Sequence, residues 1–187
     1  MVLRIATLST VLLACAGCAV ALTPAEEDSL AEVQAFADAT TRAYKVRSVK
    51  IALGGEATVI YAEFGVMSVG RATLTAPLAV RDASIALMLG FAVLPEAPPT
   101  SAGRAEAANR TRYPERNAAA VDILTNVKGL PIRVAVHEIH ESLAALAQAV
   151  KNKQVSVSPQ VPHPCEQMQA FVRRFARYQL EGAPACR

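Results

Sequence analysis

Three histidines and four cysteines are the side chains of this 187-residue sequence best suited to chemistry. The densest cluster is His137-Glu-Ile-His-Glu141. A zinc-hydrolase helix carries two histidines four residues apart on one face, with a Glu between them as the base. Here the fifth position is Glu141, and the inverted order fails too, because it must end in His. On a helical wheel with the local apolar seam at zero, His140 falls at about 80°, His137 at about 140° and Glu141 at about 180°. Two of the three then point to solvent, whereas catalytic metals occupy dry, shaped sites. A surface metal site through His137, His140 and Glu141 is one reading. The plainer one is an i,i+4 pair of His137 with Glu141, contributing a few tenths of a kcal/mol, with His140 at the edge of the packed seam.

His163 and Cys165 suggest a base and a nucleophile. They flank Pro164, which places their side chains poorly for meeting. Gly-x-Ser-x-Gly, a phosphate loop and a dinucleotide fingerprint are all missing from the sequence. No catalytic set, metal or cofactor is therefore expected.

The other cysteines sit in a different context. Met1 to Arg4 carries one positive charge, Ile5 to Ala14 carries none, and Cys15-Ala-Gly-Cys18 follows. That is the layout of a secretory signal, and it is too short to span a bilayer. Leu12-Leu-Ala-Cys15 and Ala16-Gly17-Cys18 both resemble the lipobox of bacterial lipoproteins. The resemblance implies cleavage before a Cys whose thiol carries a diacylglyceryl group. Cys15 has Leu12 at the −3 position; Cys18 has the better Ala-Gly pair but Cys15 at −3. Cleavage before Cys18 also leaves Cys165 and Cys186 as an even pair for an oxidising compartment. Cys18 is preferred, with Cys15 as the alternative and an ordinary signal cut near Ala19 or Ala21 as the third. Ala after either Cys implies the outer membrane, with the domain on its periplasmic face.

The composition bounds the rest. The chain is 52% apolar and 19% charged, with 37 Ala, no Trp and a net charge of +3. That is too apolar for disorder and too weakly basic for a nucleic-acid reader. One domain over residues 18–187, after a signal at 1–17, is the expected organisation.

The elements read as an all-α bundle of five or six helices. Thr23-Pro-Ala-Glu26 is a capping box with Pro at the first helical position, opening a helix towards Val49 with the stripe Leu30, Val33, Phe36, Ala37, Thr41 and Tyr44. Residues 48–70 read as helix from the spacing of Ile60, Phe64 and Met67. The alternative is a hairpin at 48–62 turning at Gly54-Gly55. Arg81 to Val93 is apolar all round and hence central. Residues 95–116, with Pro95, Pro98, Pro99 and Pro114, read as a surface loop carrying Arg104, Arg110, Arg112 and Arg116. Asn117 caps a short helix that ends near Lys128-Gly129.

Pro131 opens the clearest helix, with Ile132, Val136, Ile139, Leu143, Leu146 and Val150 on one seam. Pro164 opens the last, with Met168, Phe171, Val172, Phe175 and Tyr178 inward and Arg173, Arg174 and Arg177 outward. A helix unbroken from Cys165 to Glu181 would be ~24 Å long. The five steps back to Cys186 cover at most ~18 Å. A Cys165–Cys186 disulfide therefore requires a shorter helix, nearer Gln167 to Tyr178.

Three functions remain open. The first is a lipid-anchored envelope protein with a non-enzymatic interaction or structural role. Its partners are the membrane and an envelope protein, met through Arg173, Arg174 and Arg177 or through the arginines of 104–116. The second is a small-ligand carrier with a pocket between helices. The third is a metal-dependent hydrolase on His137, His140 and Glu141.

Overall fold

The computed structural model describes residues 21–54, 59–62, 65–94, 102–154 and 161–181. The signal segment and the Gly-Ala-Pro-Ala-Cys-Arg end lie outside them. The described chain is mostly helical, as the sequence predicts: α1 Pro24–Tyr44, α2 Arg71–Leu74, α3 Leu78–Val93, α4 Ala102–Asn126, α5 Ile132–Lys151 and α6 Pro164–Arg174. Three short strands, β1 Lys50–Leu53, β2 Val59–Ala62 and β3 Val66–Val69, lie between α1 and α2.

α1 starts as its sequence dictates. The Glu26 amide donates to Thr23 Oγ1 at 3.3 Å and the Thr23 amide donates to Glu26 Oε2 at 2.7 Å. The Thr23 amide foremost, and the Thr23 hydroxyl donating to the same carboxylate oxygen at 3.0 Å, hold the Glu26 carboxyl below its ordinary pKa. The helix stops at Tyr44, short of Val49, because Lys45 takes a left-handed conformation.

The helix expected over residues 48–70 is not there. β1 pairs in parallel with β3, Ile51 beside Met67, and β2 pairs antiparallel with β3, giving the order β1-β3-β2. The alternative reading, a hairpin at 48–62, finds both its strands in β1 and β2, but β3 lies between them, so they do not pair with each other across Gly54-Gly55. Burial explains the outcome: along β3, Met67 and Val69 are fully buried while Val66 and Ser68 are less so, the two-residue alternation of a strand. The turn into β3 needs Gly65, at φ +79°, where a Cβ would stand 3.0 Å from the Ser48 carbonyl. The outer edge of β1 is met by a side chain. Gln34 on α1 accepts from the Ile51 amide at 2.8 Å and donates to the Val49 carbonyl at 3.0 Å.

The expected surface loop at 95–116 is likewise replaced. From Ala102 the chain is one helix to Asn126, with Pro114 inside it, so Asn117 is not a cap. Residues 95–101 lie outside the described chain. α4 packs closely on α3. Arg116, expected in the loop, is 2% exposed. Its guanidinium stacks on Phe91 and Tyr113, 5.0 and 4.7 Å from the ring centroids, and donates to Gln167 Oε1 at 2.7 Å. Burial lowers its pKa to about 10.

α3 is the central helix, packed on α1, α4 and α5. Gly90 faces Arg116 and Asp82 pairs with Lys128, so α3 and α4 are antiparallel. Ser84 meets Ser142, and Glu138 feels the charge of Asp82, so α3 and α5 are parallel. Both therefore begin at the same end of the bundle. α6 closes the core with Met168 and Phe171. It ends at Arg174, followed by a single 3-10 turn over Ala176–Tyr178.

Candidate functional site

An open groove of about 580 Å³ lies between α3 and α5. Ala79 and Val80 line one wall. Arg133, Val134, His137, Glu138, Glu141, Ser142 and Ala145 line the other. The wall on α5 follows from its sequence. The seam of Val136, Ile139 and Leu143 is fully buried. Val134, Glu138, Glu141 and Ala145 lie off that seam and form the flank beside α3.

The mouth is apolar. Leu78 and Val80, in the first turn of α3, are 62% and 43% exposed. Ile132 and Val134, in the first turn of α5, are 42% and 41% exposed. Ile132 was the first residue of the expected buried seam. It is exposed because the bundle ends there and α3 has no further turn to cover it.

Behind the groove lies a buried charge network. Arg81, 6% exposed, donates to Ser29 Oγ at 2.7 Å and to Glu32 Oε2 at 2.6 Å, and its Nε lies 3.4 Å from Asp82 Oδ1. Asp82 also pairs with Lys128, whose ammonium sits 4.4 Å over the Phe36 ring. Glu138 looks onto this network. Burial first, and the Asp82 charge second, push its carboxyl pKa up.

The structure does not turn the three candidate metal ligands into one site. His137 and Glu141 line the groove, but His140 is buried, with Nε2 2.9 Å from the Glu181 carbonyl and Nδ1 3.8 Å from the Glu141 carboxylate. Among the described residues no three His, Cys, Asp or Glu side chains are grouped to hold a metal. His163 is engaged locally: its Nδ1 accepts from the Cys165 amide at 3.3 Å, capping α6. The chain matches no protein-family model, no curated protein and no solved structure.

Arg173 and Arg174, at the end of α6, and Arg177, in the 3-10 turn that follows, are exposed. Arg177 lies over the Tyr178 ring at 4.8 Å and donates to its hydroxyl at 2.8 Å. Cys165 is 8% exposed and disulfide-bonded. Cys15, Cys18 and Cys186 all lie outside the described residues. Among those residues no helix is long and apolar enough to cross a membrane.

The groove was not foreseen as a set of residues. Two signals pointed to it: Leu78-Ala-Val80 extends the apolar run ahead of Arg81, and Val134 stands two positions off the seam, where a polar residue is usual.

Proposed function

We propose that the chain is a membrane-anchored, periplasm-facing bacterial lipoprotein, acylated at Cys18 or, as the alternative, Cys15, with a non-enzymatic interaction role in the cell envelope. The observation that carries the interaction role is the open α3–α5 groove with its exposed aliphatic mouth. Its walls of Ala79, Val80, Val134 and Ala145 offer burial of apolar surface, which favours association roughly in proportion to the area covered. His137 and Glu141 border it, Glu141 beside the buried His140. Cys186 is the partner we assign to Cys165. With Cys18 acylated and Cys15 removed it is the cysteine left over, and the shortness of α6 removes the objection from reach.

The test has two parts. Intact mass of the protein from bacterial membranes, beside Cys15→Ser and Cys18→Ser, should show a lipid-sized gain that one of the two abolishes. An unmodified mass ending near Ala19 or Ala21 would refute the anchor. Ala145→Leu, which fills the groove, should then abolish cross-linking to envelope partners. If the Arg173, Arg174 and Arg177 substitutions abolish it instead, the contact surface lies on α6.

A second reading draws on the size of the groove. About 580 Å³ lies within the range of small-molecule sites, roughly 300–1,000 Å³. In this reading the domain carries a small apolar ligand between its helices. Solvent extraction of the purified protein should release a stoichiometric apolar molecule that the Ala145→Leu protein lacks.

A further inference from the structure

We infer that the end of the bundle where α3 and α5 begin lies on the bilayer surface, with Leu78, Val80, Ile132 and Val134 set into the boundary between headgroups and acyl chains. The inference rests on the lipoprotein reading for its anchor, but the patch is defined by the fold alone.

Three observations converge on this end. First, α3 and α5 are parallel, so four exposed aliphatic side chains from two helices share one end. Scattered single aliphatics on a surface are ordinary, whereas a clustered set marks a contact face. Second, the chain leaves the domain close by. The Ala21 carbonyl accepts from Arg71 Nη2 at 3.1 Å, and Arg71 opens α2, only seven residues before Leu78. Cys18 precedes Ala21 by three residues, so its acylated thiol is tied within roughly 11 Å of backbone from that point. An anchor on so short a tether brings this end of the domain, rather than the far end, against the membrane. Third, the two turns that carry the patch hold no acidic side chain of their own, and Arg133 stands between Ile132 and Val134.

An apolar face of this kind inserts about 5–10 Å and adds to the hold of a lipid chain. The anchor alone would leave the domain free to tumble. The patch would fix its orientation, and the α5 wall of the groove, which runs ~20 Å from Ile132 up to Ala145, would rise clear of the bilayer towards a partner.

The chain contains no Trp, so a single introduced Trp reports its own surroundings. Leu78→Trp and Ile132→Trp, each made in the full chain at an already exposed position, should be quenched at least about twofold by vesicles of brominated phosphatidylcholine and phosphatidylglycerol. Lys151→Trp, at the far end of α5, should not be. The intact mass of each preparation states separately whether it is acylated. Acylated, vesicle-bound protein with both end probes unquenched overturns the orientation and leaves the anchor standing. Unacylated protein whose end probes are quenched overturns the anchor and leaves the patch standing. Equal quenching of all three probes also overturns the orientation.

Discussion

A Cβ added to Gly90 would stand 2.6 Å from the carbonyl oxygen of Arg116. α3 and α4 approach so closely there that neither backbone can give way without disturbing the other. In an exposed helix Gly→Ala would stabilise by ~1 kcal/mol. Here overpacking should dominate, and Gly90→Ala should lower stability by about 1–3 kcal/mol. Urea unfolding checks this; a stabilised variant would contradict the contact.

Arg116 makes a second prediction. Its charge is buried, and its polar partners are the amide oxygens of Asn117 and Gln167, with no carboxylate among them. A buried charge without an opposite charge contributes little that an apolar side chain of similar length could not replace. Arg116→Met should therefore cost less than Arg116→Lys. The lysine keeps the charge but loses the planar fork and the stacking on Phe91 and Tyr113, at ~2 kcal/mol. Denaturant midpoints and slopes of the two proteins settle the order.

Glu138 supplies a pH signature. Its pKa is raised above the ordinary 4.5 by burial, then by Asp82. A carboxyl raised in the folded state favours folding when protonated. Stability is lost as pH rises from the ordinary value through the raised one, and the loss persists above it. Glu138→Gln should raise Tm near pH 7 and leave it unchanged well below pH 4.5. A gain of equal size at both values would assign the effect to packing instead.

The proposed Cys165–Cys186 bridge predicts a mass two hydrogens lower before reduction than after. Reduction should cost ~3 kcal/mol on the chain-entropy estimate. Peptide mapping that joins Cys165 to any other cysteine would reject the pairing.

Local signals were legible wherever one short segment carried the whole instruction. Thr23-Pro-Ala-Glu26 is one such case, with its cap bonds in place. So is α5, whose seam buries Val136, Ile139 and Leu143. Residues 48–70 misled because Ile60, Phe64 and Met67 match helical spacing by coincidence. The signal that prevailed was the alternation of Met67 and Val69, which matters only once β1 and β2 are alongside. Pro114 misled in the opposite way. A mid-helix proline normally costs ~3 kcal/mol or more. Yet α4 runs through it, held against α3 by the edge-to-face contact of Tyr113 with Phe91 at 5.2 Å and by buried Arg116. The groove stayed hidden because its residues belong to two helices and lie off both apolar seams.

The Gln34 side chain, set from α1 against β1, also bears on how copies of the protein meet one another. Its amide offers one donor and one acceptor at the spacing of a neighbouring strand, and it occupies the Val49 carbonyl and the Ile51 amide. An exposed strand margin invites a second molecule to add to the sheet and begin an aggregate. Here α1 supplies a one-residue imitation strand that occupies those two groups before a neighbour can. Gln34 thus closes one route by which copies of the chain could add to one another edge to edge.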